Sequence, residues 1–190
     1  MGKGMTLLQI PAEIDWFIDI LKKANVRSFL EIGSKFGKAF DRVARALPVG
    51  SRVVSIDLPS GTSVWPASQK SLHFIVAELG RIGYDARVIW GDSTDPKVIE
   101  QARALGPYDA IFIDANHTLP YVTKDWQNYG PMAKIVGFHD IAWKRPVDWG
   151  GTYRIDVPEF WASIKDRYRH DERKLDPTGQ DNGIGVLWTN

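Results

Sequence analysis

The sequence contains no cysteine, which excludes disulfide bonds and thiolate metal sites and leaves oxygen and imidazole ligands for any metal. No apolar run approaches the roughly 20 residues that span a bilayer, and the first ten residues carry too short an apolar stretch for a secretory signal. A formal net charge of +1 gives no general electrostatic reason to bind nucleic acid or a membrane. These absences favour a cytoplasmic protein without a membrane partner.

The composition is that of a globular protein, with 44% hydrophobic and 25% charged residues in a chain of 190. This length favours one domain, 1–190, with a sizeable core. Within it we distinguish an N-terminal helical segment (1–25), a cofactor-binding core (26–140), and a final part with a loop, a helix and terminal strands (141–190).

Apolar runs alternate with amphipathic helical patterns through the first two thirds of the chain, which predicts a doubly wound, mostly parallel sheet of the α/β class. Strands buried on both faces are almost continuously apolar, and five runs have this character. They are 28–32, 52–57, 86–90, 108–114 and 135–139. Two further strands are predicted at 173–175 and 185–188, after a helix from 157 to about 168.

The most informative stretch is an apolar strand that ends in Glu31, turns on Gly33 and Gly37 and opens into a helix. Glycine lets a ligand approach the backbone, so this unit predicts a cofactor site above the carboxyl end of the strand. Glu31 would suit a cationic group such as an amino acid's ammonium. A dinucleotide site would want glycine where Lys35 stands, and the bulk of Phe36 argues against a buried pyrophosphate.

The pattern Glu31-x-Gly33-x-x-x-Gly37 resembles the first motif of class I S-adenosylmethionine-dependent methyltransferases, in the spaced form of catechol-type O-methyltransferases. With the later motifs, the resemblance covers about residues 26–190. It implies a Rossmann-like fold in which the two terminal strands form an antiparallel edge.

The block from strand 4 to strand 5 resembles the branch that includes the catechol-type enzymes and the antibiotic and sugar O-methyltransferases. In that branch strand 4 ends in Ile-Asp-x-x-His, and strand 5 ends in His-Asp. Here these residues are Asp114 and His117, then His139 and Asp140, with a Lys-Asp pair on the helix between them.

The resemblance implies a donor site built from the strand ends. Gly33 and Gly37 would border the methionine part of S-adenosylmethionine. Asp57 would accept hydrogen bonds from the ribose hydroxyls, and Asp92 would accept a hydrogen bond from the adenine amino group. The predicted donor set is Glu31, Gly33, Ser34, Lys35, Phe36, Gly37, Asp57, Leu58, Asp92, Ser93 and Asp114. Each acid could instead cap a helix, a common use of Asp in such loops.

A divalent cation fits the chemistry of methyl transfer to oxygen, because it lowers the pKa of a bound hydroxyl and fixes its direction. The predicted ligands are Asp114, His139 and Asp140. Carboxylates suit Mg²⁺, but His139 stands where the catechol-type pattern has an acid. That departure favours a metal that accepts imidazole, such as manganese or iron, or a His139 that points elsewhere.

Asp114 and His117 are the predicted catalytic residues. His117 stands where catechol-type enzymes carry a lysine base, and an imidazole with an unperturbed pKa near 6.5 could take the acceptor's proton at neutral pH. A hydrogen-bonded structural histidine is the alternative. Trp143, Trp149 and Trp161 are candidates for the wall of an acceptor pocket, with burial in the core as the alternative.

The resemblance thus implies an S-adenosylmethionine-dependent O-methyltransferase for a small hydroxylated acceptor, assisted by Mg²⁺ or Mn²⁺. A non-catalytic donor-binding module, a nucleic-acid methyltransferase and a nicotinamide dehydrogenase are the alternatives. No Asn-Pro-Pro-Tyr-like motif follows strand 4 and no dense basic patch occurs, so nucleic acid is not the expected partner. The cover over the strand ends, 141–156, is short, which leaves open either a large or extended acceptor or a homodimer in which a second subunit supplies the lid.

Overall fold

The computed structural model describes residues 10–59, 68–144, 154–176 and 182–189. Within these residues the chain forms six helices and seven strands. The helices are α1 (Pro11–Lys23), α2 (Lys38–Ala46), α3 (Ser68–Arg81), α4 (Pro96–Leu105), α5 (Leu119–Tyr129) and α6 (Val157–Ile164). The strands are β1 (Ser28–Ile32), β2 (Arg52–Asp57), β3 (Asp85–Trp90), β4 (Tyr108–Ile113), β5 (Ala133–His139), β6 (Arg169–Arg173) and β7 (Ile184–Trp188).

All seven strands form one sheet in the order β3-β2-β1-β4-β5-β7-β6. The first five strands pair in parallel, and β7 pairs antiparallel with both β5 and β6. The chain reaches β3 at one edge and then crosses back to β4, so the strand order reverses between β1 and β4. Ligands of open α/β sheets bind outside the carboxyl ends of the strands at such a switch point. The predicted α/β class, parallel sheet and antiparallel edge are confirmed.

Helices cover both faces of the sheet. On one face α1, α2 and α3 bury Phe17, Val43 and Leu72 against the strands. On the other face α4, α5 and α6 bury side chains such as Val98 and Phe160. This two-sided burial explains why the parallel strands are apolar almost throughout. Among the described helices, none combines the length and the apolar character needed to cross a membrane.

Two predicted elements are wrong near the carboxyl end. The first terminal strand was predicted at 173–175 but lies at Arg169–Arg173, because a charged edge strand that faces solvent shows no apolar alternation. The helix predicted to reach residue 168 ends at Ile164 and continues as the short 3₁₀ turn Lys165–Arg167.

Candidate active site at the carboxyl ends of the strands

The glycine turn after β1 lies directly against the end of β4. Gly33 has φ of +88°, and its amide donates to the Ile56 carbonyl at 2.9 Å. A Cβ placed on Gly33 would lie 2.5 Å from the Asp114 carbonyl oxygen and closer still to Ala115 Cα. Glycine is therefore required here by both the backbone angle and the space. The glycine turn is consequently in direct contact with the backbone of Asp114 and Ala115.

The rest of the turn leads into α2. Gly37 has φ of +75° at the start of that helix, where a Cβ would lie 2.8 Å from the Ile75 side chain. Lys35 also has positive φ, +51°, although it is not glycine. The side chains of Lys35 and Phe36 are partly exposed at the rim.

Glu31 lies beneath the turn, with no exposed surface. The Ser34 hydroxyl donates a short hydrogen bond to Glu31 Oε2, and Ser55 Oγ lies 2.7 Å from Ser34 Oγ. Among the described residues none hydrogen-bonds to Glu31 Oε1. Burial raises the pKa of the Glu31 carboxyl to about 8, although the hydrogen bond from Ser34 lowers it. Because Glu31 has no exposed surface, a ligand's ammonium could not contact this carboxyl in the present arrangement.

Because of its raised pKa, Glu31 makes stability depend on pH. Below pH 4.5 the carboxyl is protonated in both the folded and the unfolded chain, so its full contribution is present. Between pH 4.5 and about 8 the unfolded chain loses the proton first, so this contribution is lost as the pH rises. We expect the stability of Glu31→Gln relative to the wild type to rise by about 2 to 4 kcal/mol from pH 5 to pH 8.

Urea denaturation of both proteins at pH 5, 6.5 and 8 measures this difference. Glu100→Gln, at an exposed position on α4, is the matched control and should show no such trend. A Glu31→Gln difference that stays flat with pH would mean that the folded protein carries Glu31 ionised at neutral pH.

Asp57, at the end of β2, faces the same turn. Its Oδ1 accepts the Leu58 amide at 2.7 Å, and burial raises its pKa to about 6 while the Leu58, Lys35 and Ser34 amides lower it. Burial lowers the pKa of Lys35, and the nearby Asp114 and Asp57 carboxylates raise it. The Lys35 ammonium is thus electrostatically coupled to both acids at the rim. Leu58 is 38% exposed there.

The end of β3 is organised by local hydrogen bonds. Asp92 Oδ1 accepts the Thr94 amide at 2.7 Å and the Thr94 hydroxyl at 2.8 Å, as in a turn-capping aspartate. The backbone carbonyl of the buried Ser93 accepts the Tyr129 hydroxyl at 2.7 Å. Burial raises the pKa of Asp125, on α5, to about 6, with opposing influences of Ser93 and Asp92. Asp125 therefore faces this loop from beneath.

Four residues at or just after the ends of β4 and β5 form one cluster of two aspartates and two histidines. His117 Nε2 lies 3.2 Å from Asp114 Oδ1, and His117 Nδ1 lies 3.5 Å from Asp140 Oδ2. His139 Nδ1 lies 3.2 Å from Asp114 Oδ1 and 3.0 Å from Asp140 Oδ1. Their side chains are 5% to 18% exposed. The two histidines therefore bridge the same two carboxylates.

Three members of this cluster, Asp114, His117 and Asp140, offer potential ligand atoms within 4.8 Å of one another. Two carboxylates and an imidazole suit Mn²⁺ or iron, and carboxylates also suit Mg²⁺. The donor set therefore fits a divalent cation. This group contains His117 and not His139, the ligand predicted from the sequence; the His139 ring contacts both carboxylates beside it.

The charges of the cluster support one another. Burial raises the pKa of Asp114, but His139 and His117 outweigh it and hold that pKa below its usual value. Burial lowers the pKa values of both histidines, yet the two carboxylates raise His117 above its usual value and His139 well above. The carboxylates and the imidazoles thus favour each other's charged forms at the rim.

Backbone hydrogen bonds fix the positions of Asp114 and His117 in the cluster. The Asp114 amide donates to the Ile32 carbonyl at 2.9 Å, which ties it to the end of β1. The Asp156 amide donates to the His117 carbonyl at 2.7 Å, and Asp156 Oδ2 accepts the Leu119 amide at 3.1 Å. Asp140 has φ of +60°, an uncommon angle that Asp tolerates better than most residues.

The tryptophan candidates for an acceptor wall have different outcomes. Trp161 is wrong as a wall residue, because it is 2% exposed, packs on Phe138 and donates to Glu172 Oε1 at 2.6 Å. Trp143 is partly exposed just beyond Asp140. Trp149 lies outside the described residues.

The structure adds polar residues that were not predicted at the site. Ser55 extends the Glu31 network and could have been noticed as the one polar residue between the two ends of an apolar strand. Asp156 holds the loop of His117 from the start of α6. It looks like an ordinary helix cap in the sequence, so nothing local marks it.

Comparison with known proteins agrees with this geometry. A family model described as a methyltransferase domain matches residues 30–141, which is more than half of the chain. No curated protein matches the chain significantly.

Solved structures share the fold over most of both chains. The chain is similar to the O-methyltransferase from Bacillus cereus in complex with SAH, with a TM-score of 0.67, 18% identity, and coverage of 95% of this chain and 82% of that one. The O-methyltransferase TomG from Streptomyces achromogenes, involved in tomaymycin synthesis and in complex with SAM, gives a TM-score of 0.67, 20% identity, and coverage of 97% and 82%. Cofactor-bound Rv0187 from MTB gives a TM-score of 0.66 and 14% identity, with coverage of 99% of this chain and 83% of that one. The chain therefore belongs to the methyltransferase-domain family, and the prediction of a class I S-adenosylmethionine-dependent methyltransferase is confirmed.

Proposed function

We propose that the protein transfers the methyl group of S-adenosylmethionine to a hydroxyl oxygen of a small acceptor, with a divalent cation at the aspartate and histidine cluster. The observation that carries the proposal is the shared wall of two sites. Gly33, in the predicted donor turn, packs against the Asp114 backbone, and the Asp114 side chain belongs to the cluster. A donor above the turn and an acceptor at the cluster would then be neighbours.

The residues at the carboxyl ends of β1, β2 and β3 support the binding of S-adenosylmethionine as the methyl donor. Gly33 and Gly37 both have positive φ in the turn after β1. Asp57 is a partly buried carboxylate at the position proposed for the ribose hydroxyls, and Asp92 and Ser93 follow β3. Asp92 Oδ1 already accepts two hydrogen bonds from Thr94, so an adenine amino group would donate to the other carboxylate oxygen, Oδ2. In-line transfer requires close alignment of donor and acceptor, which can contribute roughly 7 to 11 kcal/mol.

The cluster would supply the remaining chemistry. Asp114, Asp140 and one nitrogen of His117 would hold Mg²⁺ or Mn²⁺, which, when bound, supplies Lewis-acid stabilisation of negative charge on oxygen. A neutral imidazole has a single acceptor nitrogen, which the cation would occupy, so His117 would not also take the acceptor's proton. That proton would pass to solvent, because a bound cation lowers the pKa of the hydroxyl. His139, at 5% exposure, would orient the two carboxylates. This division differs from the sequence prediction, which grouped His139 with the ligands.

The acceptor is proposed to be a small hydroxylated molecule. The two sites adjoin at one rim, and the formal net charge of +1 favours no polyanion. Two structural neighbours bear the name O-methyltransferase, which supports oxygen as the atom that receives the methyl group.

The test is methyl transfer from labelled S-adenosylmethionine to a panel of catechols, phenols and sugars, followed by mass spectrometry. We expect an O-methylated product that disappears after treatment with a chelator and returns when Mg²⁺ or Mn²⁺ is added. Turnover that is unaffected by the chelator would remove the cation from the proposal. Donor binding without turnover on any hydroxyl would instead favour a non-catalytic module.

A further inference from the structure

Glu13 is a fully buried carboxylate on α1 that plays no part in the site described above. Its Oε1 accepts the Leu175 amide at 2.6 Å, and its Oε2 accepts the Gly183 amide at 3.0 Å. A carboxylate without exposed surface is costly unless its oxygens are hydrogen-bonded, and here each oxygen receives a backbone amide. One side chain on the first helix therefore holds two points that lie more than 160 residues away in the sequence.

These two points are the ends of the connection between β6 and β7. Leu175 follows β6, and Gly183 precedes β7 directly. Gly183 has φ of +88°, and a Cβ there would lie 3.1 Å from the side chains of Ile141 and Ala142. Gly183, whose amide Glu13 holds, is thus packed closely against the two residues that follow Asp140.

Backbone hydrogen bonds complete the link. The Ala142 amide donates to the Asn182 carbonyl at 2.9 Å, and the Ile141 amide donates to the Gly183 carbonyl at 3.4 Å. Asp140 itself has φ of +60°. Because a positive φ is uncommon outside glycine, contacts on both sides of Asp140 help to keep this angle. On the upstream side β5 holds it, since His139 pairs with Ile184.

We propose that Glu13 is a positioning residue for the Asp140 carboxylate, acting through Gly183 and Ile141; the inference rests on the proposed cation site. By holding the end of the β6–β7 connection, Glu13 keeps the turn at Asp140 in the angle that aims its carboxylate at Asp114 and His117. Glu13 touches neither the donor nor the acceptor. Its loss should therefore weaken cation binding and leave donor binding intact.

Mn²⁺ titration followed by electron paramagnetic resonance of the free ion tests this without any turnover. Glu13→Gln keeps the shape of the side chain but replaces one acceptor by an NH₂ group that faces a backbone N–H. We expect about tenfold weaker Mn²⁺ binding, the scale on which supports of metal ligands act. The affinity for S-adenosylmethionine, measured by calorimetry, should change less than about threefold because α1 does not line the donor turn.

Leu21→Ala is the matched control for a general loss of stability. Leu21 is fully buried on the same helix and takes no part in the link. It should lower the urea midpoint while the Mn²⁺ affinity stays at the wild-type value. If Glu13→Gln does not fold, Gly183→Ala strains the same link with Glu13 unchanged and should weaken Mn²⁺ binding in the same way.

The outcomes separate the two proposals. If Glu13→Gln and Gly183→Ala bind Mn²⁺ as tightly as the wild type, the role of Glu13 is overturned and the cation site stands. An equal loss of Mn²⁺ affinity in Leu21→Ala would reduce Glu13 to a contributor to stability. A wild type that binds no Mn²⁺ would overturn the cation site and, with it, this inference.

Discussion

Replacing Asp114 and Asp140 together by asparagine is expected to lower Mn²⁺ affinity about 100-fold or more and turnover about 10³-fold. Both substitutions keep the shape of the side chain and remove the negative charge that a cation needs. Asn tolerates positive φ as well as Asp does, so the turn at position 140, with φ of +60°, should keep its geometry. Calorimetric titration with Mn²⁺ and initial rates of methyl transfer measure the two effects.

Asp19→Asn provides the control, because Asp19 is an exposed acid on α1, on the opposite side of the chain's first helix from the buried residues. It should leave both quantities at their wild-type values. The single variant Asp140→Asn should also keep its affinity for S-adenosylmethionine, since Asp114 alone borders the donor turn. Unchanged metal binding in the double variant would withdraw the metal assignment.

Gly33→Ala is expected to destabilise the protein by about 3 kcal/mol or more and to weaken donor binding at least about tenfold. The new Cβ would lie 2.5 Å from the Asp114 carbonyl oxygen in a backbone conformation with φ of +88°. The neighbouring atoms belong to the backbone of a central strand end, so they cannot move aside as a flexible side chain would. Urea denaturation and calorimetry with S-adenosylmethionine measure the two losses.

Gly50→Ala separates the two causes of this effect. Gly50 has almost the same φ, +87°, but a Cβ there would meet no atom within 4 Å. It should therefore cost only the backbone strain of about 1 to 2 kcal/mol and leave donor binding unchanged. If both variants lost the same stability, the close packing of the donor turn on β4 would not matter.

The sheet was predictable because burial on both faces leaves a clear mark on a strand. β1, β2, β4 and β5 are apolar almost throughout, and Asp95-Pro96 marks the start of α4 with a cap on the Lys97 amide. β6 left no such mark, since its side chains are charged and largely exposed. β6 is a strand because it pairs with β7, and the residues of β6 alone do not reveal a partner further along the chain.

Within the site, the sequence could place residues at a common rim but could not orient them. Asp114, His117 and Asp140 were predicted near one another because parallel strands end at the same edge. Whether His117 or His139 joins the two aspartates depends on side-chain direction, which the spacing of residues in the sequence does not fix. Glu13 is a different case, since an acid on the buried face of an amphipathic helix signals a hidden partner. The identity of that partner required the folded chain.

The position of β7 has a consequence for synthesis on the ribosome. β7 is the last described strand in the sequence, yet it pairs with β5, whose end carries Asp140. Until Ile184–Trp188 has left the exit tunnel, the nascent chain presents an apolar strand with one unpaired edge, a feature that favours aggregation. The newly made protein should therefore depend most on a holding chaperone in the interval between the emergence of β5 and the emergence of β7 from the tunnel.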